Sequence, residues 1–200
     1  MAATGSRAGS REHRRARIEQ TALELFREHG FDLVTVEDVC AAAAVAPATF
    51  YRYFGTKEEV VFAYRDDFRA AMNRAIEAGA RVAENARLPV VLEEFAAFLE
   101  SQQDLLALRD QIVVGHPRLM QRTLWVQREI EGVLAAGLAQ VRDSPQPSTA
   151  DLLEAGVGML VLRLAVRSWR AEGHGSLLAA THATFVRLRT LCAETHLTDR

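Results

Sequence analysis

The sequence predicts an all-α protein, with an N-terminal three-helix helix-turn-helix unit followed by a larger helical domain. Three observations lead there. Apolar residues recur three and four positions apart along most of the chain, and no stretch alternates as a strand would. Pro89, Pro117, the Ser144–Pro147 loop and Gly173–Gly175 fall between these periodic segments and punctuate them. The stretch Thr35–Lys57, TVEDVCAAAAVAPATFYRYFGTK, holds two helix starts, a tight joint and an aromatic-basic cluster.

The first helix is expected over about residues 11–28, with Ile18, Ala22, Leu25 and Phe26 on one face and Gly30 as its stop. Thr35 opens the second, because Asp38 three residues on completes a capping box, and Val36, Val39, Cys40 and Ala43 then share a face. The alanine run stops at Val45–Ala46–Pro47. Proline suits a first helical position and pushes the residue before it out of helical geometry, so a third, short helix begins there. It presents Thr49, Tyr51, Arg52 and Tyr53, groups that hydrogen-bond phosphate oxygens and can seat a helix in a major groove.

Thr56 and Glu59 form a second capping-box pattern, predicted to open one long fourth helix through Val60, Val61, Tyr64, Phe68, Met72 and Ile76. Further helices are expected at about 88–103, 104–114, 117–142, 149–172 and 175–196. The last two are apolar almost all round, including Leu152, Leu153, Leu160, Leu164, Leu178 and Leu191, which is more apolar surface than one core needs and calls for a partner.

With 200 residues, 49% of them hydrophobic, the chain can bury a full core, and a net charge of −2 excludes a surface that is basic throughout. No apolar run approaches the roughly 20 residues that span a bilayer, and the Arg-rich start lacks a signal-peptide core, so a cytoplasmic location without membrane attachment is expected. Cys40 and Cys192 show no metal-ligand spacing and are read as buried, reduced thiols; neither metal nor cofactor is called for. Residues 1–10 read as a flexible basic tail able to follow a nucleic-acid backbone or enter a minor groove.

At Arg17-Ile18, Leu25-Phe26, Gly30, Thr35-Val36, Thr49-Phe50-Tyr51-Arg52-Tyr53-Phe54 and Lys57-Glu58 the sequence resembles the TetR family of one-component bacterial transcriptional regulators. The resemblance implies a DNA-binding domain at 11–56 and a ligand-binding and dimerisation domain at 57–200. Carried over position by position, it implies phosphate contacts at Thr35, Thr49, Tyr51 and Lys57 and base-edge contacts at Pro47, Ala48 and Tyr53. Arg17 and Arg52 complete the expected DNA-contacting set. Lys57 is the only lysine in the chain, which fits a dedicated contact. Two positions depart from the family pattern. Ala46 and Ala48 replace a serine and a glycine, leaving the third helix without a side-chain cap, and Glu37 puts a carboxylate where a base is sometimes found.

The later segment, from Leu108-Arg109 through His116–Leu119, Arg122, Trp125–Glu129 and Arg163 to Gly173, is similar to the branch of the family associated with acyl-coenzyme A-like ligands. Arg109, Arg122, Trp125, Met159 and Arg163 are the implied effector residues: apolar lining for a chain, guanidinium for a carboxylate or phosphate. The family also implies a homodimer through the last two helices, with Ala155, Gly156 and Gly158 allowing close approach.

The expected function is a repressor released from a palindromic double-stranded DNA operator by a small apolar or acyl-coenzyme A-like effector. A ligand-binding or adaptor protein without DNA affinity is the alternative kept open by Ala46 and Glu37. An acyl-ester hydrolase is a weaker one, since no Gly-x-Ser-x-Gly elbow, glycine-rich phosphate loop or His-Glu-x-x-His pattern is present.

Overall fold

The computed structural model describes residues 3–171, 173 and 175–195, and all regular structure among them is helical. The order is α1 (Ala3–His29), α2 (Val36–Ala42), α3 (Pro47–Tyr53), α4 (Lys57–Val61), α5 (Arg65–Gly79), α6 (Glu84–Ser101), α7 (Gln103–Val113), α8 (Pro117–Val141), α9 (Thr149–Ala171) and α10 (Leu177–Thr195). The expected helix ends at 172 and 196, and the punctuating His174, lie outside the described residues. No helix of the described residues is long and apolar enough to cross a membrane.

Two compact units result. The first comprises residues up to Asp66 together with Gln103–Trp125; the second comprises Asp67–Gln102 with the residues from Val126 onward. The three dividing points thus fall inside α5, between α6 and α7, and inside α8, and α7, late in the sequence, packs with α1 in the first unit. A single boundary at residue 57 does not describe this partition.

In the first unit α1 packs on α2 and α4, and α2 on α3; Ile18, Ala22, Leu23 and Phe26 of α1, Val39 and Cys40 of α2, Phe50 of α3 and Val60 and Val61 of α4 are all buried. Gly30, with φ of 89°, ends α1 as expected, its amide bonding the Phe26 carbonyl at 3.0 Å. Two boundaries differ from the sequence reading. The N-terminal tail is helical from Ala3, because no proline interrupts the ladder and Gly5 and Gly9 each cost only about 1 kcal/mol relative to alanine.

The long fourth helix is broken after Val61. Ala63 N donates to Val60 O at 3.2 Å and Arg65 N to Phe62 O at 3.1 Å, so three-residue turns replace the α ladder. Phe62 and Ala63 are buried, and the Ala63 carbonyl accepts from Arg15 Nη2 at 2.8 Å, a partner no helix interior would leave it free to take. At Thr56 only half of the expected capping box forms: its hydroxyl accepts from Glu59 N at 3.3 Å.

The second unit is held by close helix approach. Gly158 of α9 lies against Leu88, Leu92 and Leu134, and Gly137 of α8 lies against Ile76 of α5. Ala155 and Gly158 therefore serve this unit's own core, where both are buried, and are not the small outward-facing residues the sequence implied. Arg142 ties three segments, donating to Glu84 at 3.1 Å, to Glu154 at 2.7 Å and to Asp151. Those bonds, with Glu154 foremost, push the Arg142 pKa further up. Ser148 and Asp151 cap α9 reciprocally, and the Ser148 bonds hold the Asp151 carboxyl below its usual range. Cys40 is buried, which raises its thiol pKa, but Cys192 is exposed on α10, contrary to expectation.

Candidate nucleic-acid interface

The candidate interface is built on α2 and α3. Thr35 caps α2: its Oγ1 accepts from Asp38 N at 3.1 Å, while Thr35 N and the Thr35 hydroxyl donate to the Asp38 carboxylate at 2.9 and 2.6 Å. The predicted capping box is complete. These bonds, the side-chain one first, lower the Asp38 pKa and keep the acceptor ionised.

The joint turns at Ala44, whose φ of 51° is left-handed for a residue with a Cβ, and Val45 N closes it by bonding Cys40 O at 3.0 Å. Alanine there costs backbone strain on the order of 1 kcal/mol, which the surrounding packing of Ala43 and Cys40 outweighs. As the sequence foretold, Ala46 gives α3 no side-chain cap, and Pro47 stands at its start. Phe50 is the anchor. It is fully buried, and with Phe54 beneath the helix it turns the opposite face outward. That face carries Pro47, Ala48, Tyr51 and Arg52, all exposed, flanked by half-buried Thr49 and Tyr53.

Lys57 points into the fold, where a phosphate contact was expected. Its Nζ donates to the carbonyls of Phe31 at 2.9 Å, Val34 at 3.2 Å and Asp32 at 3.4 Å, and sits 4.6 Å from the Phe31 ring centroid. An ammonium has three donors, and all three have acceptors inside the fold. Arg17 likewise donates inward, to Ala43 O at 3.1 Å, where it satisfies a carbonyl at the end of α2.

Two residues expected to meet the effector belong to the first unit and are engaged there. Arg109 is buried, ion-paired with Glu19, and lies 4.9 Å from the Tyr64 ring centroid. Burial pushes the Tyr64 phenol up to about 12. Arg122 pairs with Glu59 and lies 5.1 Å from the Phe62 ring centroid. Both guanidinium groups thus fasten α7 and the start of α8 to α1, α4 and the turn after it. Trp125 is 67% exposed at the edge of the same unit, whereas Met159 (half-buried) and Arg163 (exposed) lie on α9 in the second unit. The five are not gathered within either unit.

Sequence reasoning missed Arg11 and Arg15. Arg15 lies 5.7 Å from the Phe54 ring centroid and Arg11 lies 5.9 Å from that of Tyr53, which Arg52 also approaches at 5.3 Å. The signal was available in the spacing: 11, 15, 18, 22 and 26 form one helical stripe, so both arginines continue the line that buries Ile18 and Phe26.

Comparison with known proteins agrees with this geometry. Residues 18–64, from the C-terminal part of α1 through the turn after α4, match the model of the family described as bacterial regulatory proteins, tetR family. The mycofactocin biosynthesis transcriptional regulator MftR of Mycobacterium tuberculosis is 25% identical over 84% of this chain and 85% of its own length. The HTH-type transcriptional regulator TcmR of Streptomyces glaucescens is 32% identical over 62% of this chain and 58% of its own. Among solved structures, the transcriptional regulator FadR from Bacillus subtilis, in complex with stearoyl-CoA, shares the fold with a TM-score of 0.60 at 18% identity, covering 84% of this chain and 94% of that one. The helix-turn-helix geometry and the matched segment agree: residues 18–64 are similar to the DNA-binding region of bacterial regulatory proteins of the tetR family, and the relatives matched over longer stretches are transcriptional regulators.

Proposed function

We propose that this regulator is a homodimeric repressor that reads a palindromic operator with two copies of α3 and leaves it when an amphipathic effector of the acyl-coenzyme A class binds the second unit. The observation that carries the DNA half is the outward face of α3, where Tyr51 and Arg52 stand exposed on a helix pinned by buried Phe50. Thr49, Tyr51, Arg52 and Tyr53 are the phosphate and sugar contacts, and Pro47 and Ala48 approach base edges through apolar contact with thymine methyls. Thr35, Arg17 and Lys57 hold the frame that presents them. Two recognition helices must stand about one DNA turn apart, roughly 34 Å, to read both half-sites.

The dimer rests on the apolar residues left uncovered on the last two helices: Leu152, Leu153, Leu160 and Leu164 of α9, with Leu178, Val186 and Leu191 of α10. The effector class is supported by the stearoyl-CoA complex of the FadR that shares this fold. On this chain Met159 and Arg163 are the α9 residues suited to it; Arg109 and Arg122, already paired within the first unit, are not part of the set. Release requires the effector to favour the DNA-incompetent state by about 1–3 kcal/mol or more.

The test is a gel shift of the full-length protein against DNA flanking its own gene, with and without stearoyl-CoA. Specific retardation that the ligand abolishes, and that Tyr51→Ala removes, is the expected result. Retardation indifferent to saturating ligand would remove the effector class, and no retardation of any fragment at low salt would remove the DNA-binding reading on this chain.

A further inference from the structure

We propose that the N-terminal turns of α1 form a second DNA-contacting element, in which Arg11 and Arg52, lying against the same Tyr53 ring, make a phosphate clamp that Arg14 extends. The proposal rests on the reading of α3 as the recognition helix.

The geometry comes from two helices meeting at one aromatic ring. Arg11 of α1 and Arg52 of α3 bring their guanidinium carbons to 5.9 and 5.3 Å from the Tyr53 centroid. Both side chains are exposed, and Arg11, Arg14 and Arg52 have no carboxylate partner among the described residues. Two like charges drawn to one ring repel each other, and the cation–π attraction at an exposed site offsets this by only about 0.5–1 kcal/mol each. An arrangement of that kind is completed by an anion shared between the two guanidinium groups, and a phosphate diester beside a recognition helix has the right charge and acceptor oxygens.

The backbone supports the same placement. α1 runs without a break from Ala3, so Arg11 and Arg14 sit on a rigid helix that the Ile18–Phe26 stripe anchors in the core. Arg15 and Arg17, in the same stretch, donate to the carbonyls of Ala63 and Ala43 and serve the fold. Between residues 3 and 17 the sequence holds five arginines against one acid, Glu12, in a chain whose net charge is −2. The excess positive charge is therefore concentrated on the turns that pass the end of α3.

The experiment measures the salt dependence of operator binding for the full-length protein, for Arg11→Gln/Arg14→Gln, and for the control pair Arg74→Gln/Arg81→Gln, which removes equal charge from exposed positions of the second unit. Glutamine keeps helix propensity, and circular dichroism confirms that each variant is folded. Removing one phosphate interaction lowers the slope of log K against log salt by about 0.9. The clamp predicts a slope smaller by about two per protomer for the N-terminal pair, no change for the control pair, and operator preference over random DNA retained in both. An unchanged slope in the N-terminal pair, with wild-type binding intact, overturns the clamp while leaving α3 as the reader. An equal reduction in both pairs overturns it in favour of diffuse charge. Absence of wild-type binding at low salt is a separate result, which defeats the recognition-helix reading itself.

Discussion

Lysine occurs once in this chain, and its ammonium donates to three carbonyls of the segment joining α1 to α2. Charge-assisted bonds of this kind contribute about 1.5–3 kcal/mol each at most, with desolvation offsetting part of the sum. Lys57→Met is therefore expected to lower stability by about 1–3 kcal/mol while leaving the salt slope of operator binding unchanged. A slope smaller by about 0.9 with stability unaltered would instead make Lys57 a phosphate contact. The residue type and position were legible in the sequence, but the direction of the side chain was not. Its acceptors are backbone carbonyls 23 to 26 residues away, and carbonyls carry no sequence signature. Arg109 eluded the reading for a related reason: its acid, Glu19, stands 90 positions away, and no helical period links the two.

At the level of elements, the boundaries set by local chemistry were readable: Thr35 with Asp38, Pro47 after uncapped Ala46, and Gly30 with positive φ. Boundaries set by tertiary contact were not. Val60–Tyr64 contains neither glycine nor proline, and α4 ends there because Phe62 and Ala63 are drawn into the core and Arg15 takes a carbonyl. The same distinction predicts opposite outcomes for one substitution at two sites of α8. Gly132 has nothing within 4 Å of an added Cβ, so Gly132→Ala is expected to stabilise by about 1 kcal/mol through helix propensity. At Gly137 an added Cβ would stand 2.9 Å from Ile76 Cγ2 and closer still to Cδ1; overpacking of about 1–3 kcal/mol opposes the same gain. Thermal unfolding should show Tm rising in the first variant and falling in the second, by about 2–4 °C per kcal/mol in a chain of this size. A rise in both would mean that α5 and α8 separate easily.

At the scale of the molecule, the proposed dimer rests on the exposed leucines of α9 and α10. Leu160 and Leu164 are 39% and 45% exposed and one turn apart, a stripe that a second copy can cover. Leu160→Glu/Leu164→Glu is expected to shift the protein in sedimentation from twice 22.1 kDa to 22.1 kDa and to cost most of the operator affinity, since one half-site remains. Wild-type protein that sediments as a monomer at micromolar concentration would contradict the dimer. The apolar excess of these helices was plain from composition, yet their small residues misled: Gly158 faces Leu88, Leu92 and Leu134 within one unit and Ala155 is buried, because helix crossings inside a core need small residues as much as subunit interfaces do.

The enclosure of the one side-chain amine by carbonyls has a practical use as well. An amine-reactive probe can modify Lys57 only when the segment from Phe31 to Val34 lets go of it, so the rate of acylation at that single site measures how often this joint opens. Recorded with and without operator DNA, that rate becomes a chemical clock for the breathing of the reading head, with no background from other lysine side chains.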